Sequence, residues 1–75
     1  MTQVVRVLVD GASGLEFDYS IPDKIKNMVV VGSRIRVPLR NRPSTGTVVA
    51  FISSDELGVA VSKIKPIIDL ISEKP

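Results

Sequence analysis

Cysteine, histidine and tryptophan are all missing from this chain, and each absence removes a class of function. Without cysteine there are no disulfides and no thiolate chemistry, and without histidine there is no imidazole base. Together the two absences exclude zinc sites that need sulfur or nitrogen ligands. Aromatic rings are scarce: Phe17, Tyr19 and Phe51 are the whole set, too few for the long stacking track on which general single-strand binders lay successive bases. The eight carboxylates include no evident acid and base pair flanked by aromatic substrate platforms, so the chain alone is not expected to be an enzyme. No apolar run approaches bilayer length. Met1-Thr2-Gln3 supplies no basic region ahead of the first apolar stretch, and Arg6 interrupts that stretch. Neither a membrane partner nor a signal peptide is therefore expected, and the expected location is cytoplasmic.

What remains is short but built to fold. Seventy-five residues make one domain, 1–75, and a chain of this size buries only about 60% of the surface its unfolded form exposes, so the core is thin. With 44% apolar residues and a mean hydropathy of +0.27 it is no disordered tail. Charge is unevenly spread. Between Asp23 and Asp55 lie Lys24, Lys26, Arg34, Arg36, Arg40 and Arg42 without one carboxylate, while the remainder is acidic on balance. A one-signed field on a small body attracts polyanions, and nucleic acid is the first candidate partner.

Periodicity predicts strands and no long helix. Val4 to Val9 is β-branched and ends at the turn residues Asp10-Gly11-Ala12-Ser13-Gly14. Leu15, Phe17, Tyr19 and Ile21 then alternate strictly with Glu16, Asp18 and Ser20, a strand with one apolar and one polar face. Residues 24–31 fit either a helical turn or an irregular extended piece. Arg34 to Leu39 places Ile35, Val37 and Leu39 on one face and both arginines on the other. Arg40 to Ser44 reads as a loop, Thr45 to Ser53 as the returning strand of a hairpin, and Gly46 as a bulge or close backbone approach. Ser54-Asp55-Glu56-Leu57-Gly58 turns, and 63–71 is an extended apolar segment broken at Pro66 or lying on an edge. The polar residues 72–75 suggest a domain boundary or the end of a trimmed fragment. The expected fold is mainly β: a small antiparallel, partly closed, OB-like barrel of five to six short strands.

Three stretches carry a further signal. Phe17-Asp18-Tyr19 with Pro22, then Gly32-Ser33-Arg34-Ile35-Arg36-Val37-Pro38 with Gly46-Thr47-Val48-Val49, then Lys63-Ile64-Lys65-Pro66-Ile67 occur in an order and spacing that cover nearly the whole chain. In these the chain resembles the N-terminal domain of PriA, the helicase of bacterial replication restart. The resemblance implies a module that binds the 3′ end of the nascent leading strand at a fork and orients a motor encoded further along. The parent would be an ATP-dependent helicase, with ATP, magnesium and zinc bound outside this domain and no cofactor within it. DNA forks, the remaining helicase domains and other primosome proteins would be its partners. Carried over by motif, the pocket for the terminal nucleotide comprises Phe17, Asp18, Tyr19, the neighbourhood of Arg40, and Lys65. Family members usually carry Phe-Gly after Val-Pro, where this chain has Leu39-Arg40. A glycine there lets a nucleotide approach the backbone, and this chain instead sets a side chain at that wall.

The residue chemistry is compatible with that expectation. A carboxylate accepts hydrogen bonds and is repelled by phosphate, so Asp18 suits a strand end, which offers a hydroxyl donor and no phosphate beyond it. Lys65 and Arg40 would meet the phosphates just behind, with Arg34, Arg36 and Arg42 as further phosphate contacts. Blander readings stand beside it. Phe17 and Tyr19 share the apolar face and suit a core, while Asp18 and Lys65 suit a solvated surface. Two rival functions remain at this point. One is a generic barrel touching RNA or duplex phosphates through Arg34, Arg36, Arg40 and Arg42; the other is a structural barrel docking protein through an apolar edge strand.

Overall fold

A computed structural model describes residues 3–11, 13–53, 56 and 63–72. Five strands form one antiparallel sheet: β1 (Gln3–Val9), β2 (Glu16–Ile21), β3 (Arg34–Leu39), β4 (Arg42–Ile52) and β5 (Asp69–Ser72). Their order is β2-β1-β4-β3-β5, which leaves β2 and β5 at the two edges and the sheet unclosed. Residues 65–68 span the gap. The Ser20 N–H donates to the Lys65 carbonyl, the Ile67 N–H donates to the Ser20 carbonyl, and the Ile68 N–H donates to the Arg36 carbonyl. Pro66 sits at the centre of this crossing, in a single parallel bridge to Ser20. The expected break at Pro66 is thus real, and the architecture is the mainly β, OB-like one expected.

One apolar stripe from each strand meets inside. Val5, Val7 and Val9 of β1, Tyr19 and Ile21 of β2, Ile35 and Val37 of β3 and Val48 of β4 form the core with Val29 and Ile67. Alternation drives this, because each strand turns every second side chain inward. Residues 24–31 prove to be mixed: a single 3-10 turn at Asp23–Ile25, then turns and coil that send only Val29 inside. The Ser33 hydroxyl accepts the Val30 N–H at 2.9 Å, and the Ser33 carbonyl accepts the Val48 N–H at 3.0 Å.

Gly46 marks a close approach. A Cβ there would lie 2.6 Å from Val7 Cγ1 and 2.9 Å from the Leu8 carbonyl oxygen, so only glycine fits between β1 and β3. The β1–β4 irregularity falls elsewhere, between Arg6 and Val7.

The β3–β4 connection is tighter than the sequence suggests. Arg42, Pro43 and Ser44 belong to β4, and the expected five-residue loop shrinks to Arg40 and Asn41, both left-handed with φ of 50° and 66°. Positive φ at both central residues is the two-residue hairpin turn whose twist matches that of the strands. It pairs Leu39 with Arg42 and places Pro38 opposite Pro43. That is a non-hydrogen-bonded position of the β3–β4 ladder, where a missing N–H leaves no gap between the two strands. Prolines that signal a loop in sequence are therefore tolerated in this ladder. Of the turn expected at 54–58 only Glu56 lies among the described residues, and its carboxylate accepts from the Ser53 hydroxyl at 3.0 Å. The expected boundary at 72–75 lies outside them beyond Ser72.

Candidate nucleic-acid interface

The apolar face of β2 descends from solvent into the core. Leu15, just ahead of the strand, is 57% exposed, Phe17 is half-buried, and Tyr19 is 4% exposed. Phe17 sits at the transition, packed against the core on one side. On the other it lines a cleft of about 250 Å³ with Gly11, Ser13, Leu15, Leu39 and Arg40. Two hairpin turns form the walls: the β1–β2 turn, with positive φ at Gly11, Ser13 and Gly14, and the β3–β4 tip. The volume is below the roughly 300–1,000 Å³ of drug-sized sites, room for one flat group and not for a run of bases.

Tyr19 lies beneath, closed to solvent. Its hydroxyl donates to the Pro38 carbonyl at 3.0 Å, fastening the end of β3 to β2 just before the Arg40 turn. Burial pushes the phenol pKa above its ordinary value. Tyr19 is thus a core residue that holds the cleft wall in place and presents no face for stacking.

Asp18 takes the opposite face of β2, directly across from Arg6 of β1. The Arg6 Nε donates to Asp18 Oδ1 at 3.1 Å, with the side chains 40% and 26% exposed. Because Ser20 turns its own N–H and C=O outward to residues 65–67, strand alternation turns those of Asp18 outward as well, towards the edge. The Arg6–Asp18 pair therefore occupies a non-hydrogen-bonded position, where opposed side chains are closest. Lys65 is exposed, and its carbonyl receives the Ser20 N–H at 3.0 Å, so it runs beside β2 two residues beyond Asp18.

The arginines divide into two groups. Arg34 donates from Nη1 to Asp10 Oδ1 at 3.2 Å and to the Thr47 hydroxyl at 2.7 Å, while its Nη2 binds Asp10 Oδ2. The Thr45 hydroxyl donates to the same carboxylate at 2.8 Å. Arg34 and then Thr45 hold the Asp10 carboxyl below its usual pKa, and Asp10 in turn raises that of Arg34. Arg36 pairs with Asp69, opposite it on β5, at 3.0 Å. Arg40 and Arg42 are exposed and have no ion-pair partner among the described residues. The charge segregation visible along the chain is thus partly undone in space, because Asp10 and Asp69 return to neutralise the middle of the cationic segment.

Of the residues singled out in sequence, the fold brings Phe17 and Arg40 into one cleft and sets Asp18 and Lys65 along the neighbouring edge. Tyr19 goes to the core, Arg34 and Arg36 to internal ion pairs, and Arg42 to the hairpin beside Arg40. Sequence reasoning missed Leu15, Ser13 and Leu39 as cleft walls and Arg6 as the partner of Asp18. Pairing β1 with β2 antiparallel across residues 10–15 would have placed Arg6 near Asp18. Among the described residues no group of three or more carboxylates gathers to hold a metal ion, and no helix is long and apolar enough to cross a membrane.

A family model described as the 3′DNA-binding domain (3′BD) of PriA matches residues 6–75. The replication restart protein PriA of Bacillus subtilis (strain 168) is 38% identical over 55 residues, 72% of this chain and 7% of that protein. The chain thus spans a small fraction of that relative's length. No solved structure matches significantly.

Proposed function

The chain belongs to the PriA 3′DNA-binding domain family, and from that premise we propose that it binds the free 3′-OH end of the nascent leading strand at branched DNA, orienting a replication-restart helicase. The observation that carries the proposal is the Phe17–Arg40 cleft, one half-buried ring and one guanidinium with no ion-pair partner among the described residues, abutting the edge that bears Asp18. The terminal base stacks on Phe17. Its sugar passes round the edge of β2 ahead of the Ser20–Pro66 bridge, so that the 3′-hydroxyl donates to the Asp18 carboxylate, while Arg40 and Lys65 meet the preceding phosphates. Consecutive residues on a strand face opposite ways, and an edge strand lets one nucleotide reach both sides.

Magnitudes support a guide rather than a grip. One stacked base and two or three charged hydrogen bonds give on the order of 5–9 kcal/mol gross, against an association cost of ~4 kcal/mol or more. Affinity at micromolar or weaker is expected. The generic phosphate binder is disfavoured because Arg34 is held through both Nη atoms by Asp10 and Thr47.

Titration of matched oligonucleotides with free and 3′-phosphorylated ends tests the reading. An end reader loses most of its affinity for the blocked end. Equal or tighter binding to the blocked end would overturn it.

A further inference from the structure

The face of β1 and β2 that carries Arg6 and Asp18 contains a group that the end-binding reading leaves unused. Arg6 stands on β1 directly opposite Asp18, and their contact is a single bond from Nε to Oδ1 rather than the two-pronged fork an arginine can make with a carboxylate. Both Nη atoms of Arg6 and the Oδ2 atom of Asp18 are without partners among the described residues. The pair is half open to solvent, with Arg6 the more exposed member. It offers water two donors and an acceptor, side by side and opposite in charge.

A lone carboxylate is a poor neighbour for DNA, because every phosphate that approaches it is repelled. The paired guanidinium changes this. It offsets the charge of Asp18 and holds its Oδ1, leaving Oδ2 as the acceptor, while the fields of Glu16 and Glu56 also reach Arg6. Directly opposed residues have Cβ atoms about 4.5–5.5 Å apart, commensurate with a single nucleotide, whose 3′-hydroxyl and 5′-phosphate are separated by one sugar.

We propose that Arg6 is a second DNA-binding residue, which takes the 5′-phosphate of the terminal nucleotide through its Nη atoms while Asp18 accepts the 3′-hydroxyl of the same nucleotide. This rests on the end-binding reading and adds to it that the unit of recognition is one hydroxyl and one phosphate held by an Arg–Asp couple. The couple also sets the sign of the discrimination. With Asp18 intact, a 3′-phosphate meets a carboxylate and is rejected; with the carboxylate neutralised, Arg6 is free to take that phosphate.

The test measures this chain, with Arg6→Gln, Arg6→Lys, Asp18→Asn and the Arg6→Gln/Asp18→Asn double variant, against one oligonucleotide with either 3′-OH or 3′-phosphate, over a range of salt. Thermal melting checks that each variant is folded. Arg6→Gln is expected to weaken binding of the free end by about tenfold. It is also expected to reduce the slope of log affinity against log salt by about 0.7, one phosphate contact on a single strand. Arg6→Lys restores most of the slope. Asp18→Asn reverses the preference towards the 3′-phosphate, and the double variant prefers neither end. If the parent chain discriminates between the ends but Arg6→Gln keeps its affinity and slope, the role of Arg6 is overturned while the end-binding reading stands. If the parent chain shows no discrimination, both fall.

Discussion

Arg34 and Arg36 lie in the same hairpin as Arg40 and Arg42 and a few residues away, yet the two pairs are held under opposite conditions. Those in the first half of β3 face carboxylates: Asp10, supported by Thr45 and Thr47, and Asp69. Those at the tip face none among the described residues, and Arg40 occupies a left-handed turn position beside the cleft. The difference teaches that a cationic stretch of sequence is not a cationic surface. A strand interior has neighbours on both sides that can supply compensating charge, whereas a two-residue turn has fewer, and Arg40 and Arg42 have no ion-pair partner among the described residues.

The sharpest way to break this contrast is to reverse the tip. Arg40→Glu with Arg42→Glu should lower DNA affinity by about a hundredfold, two charged contacts of ~1.5 kcal/mol each, and leave the melting temperature nearly unchanged. Arg34→Gln should do the opposite, with a small fall in melting temperature and binding within about threefold of the parent. Equal losses of affinity from both would dissolve the distinction. Next in size is the paired half's steric constraint. Gly46→Ala forces a methyl against Val7 and the Leu8 carbonyl and should cost roughly 1–3 kcal/mol in chemical denaturation. A neutral result would mean that β1 and β4 separate freely, which the buried Val7 and Val48 argue against.

Much of this architecture was legible in the residues, and what was not has an identifiable cause. The alternation Leu15 to Ile21 reported the strand correctly, although residues 65–67 also bury Ser20 on its polar face. It could not report where along the apolar face burial begins, since that depends on the turns at 10–15 and 40–41 that wall the cleft. Pro43 pointed to a loop for good local reasons, and only its pairing opposite Pro38 shows why the ladder tolerates it. The commitment of Arg34 to Asp10, 24 residues away, is a tertiary fact that no local pattern carries. For the candidate site, the family resemblance grouped Phe17 with Arg40, and the pairing of Arg6 with Asp18 was missed.

Arg40→Gly sharpens the comparison from the side of the backbone. A left-handed non-glycine residue costs roughly 1–2 kcal/mol, part of which glycine returns as chain entropy in the unfolded state. The variant should therefore be more stable by about 0.5–1 kcal/mol, while the slope of log affinity against log salt falls by about 0.7. A gain in stability with unaltered salt dependence would place the Arg40 guanidinium away from phosphate. A loss of stability would mean that the Arg40 side chain contributes packing to the cleft that outweighs its turn strain.

The smallest effect separates the two halves by pH. Arg34, and after it Thr45, bind the Asp10 carboxylate and hold its pKa below the ordinary value of ~3.9. A group depressed in the folded state stabilises the fold above its unfolded pKa and loses that contribution as pH falls through the folded value, so the change is confined to the region below about pH 4. Asp10→Asn should therefore flatten the acid limb of a melting-temperature profile taken between about pH 2 and 5. Arg40→Gln should leave that limb unaltered, since no carboxylate among the described residues pairs with the tip. If Arg40→Gln flattened it as much as Asp10→Asn, the tip would share a carboxylate in solution, and its charge would not be held in reserve for DNA.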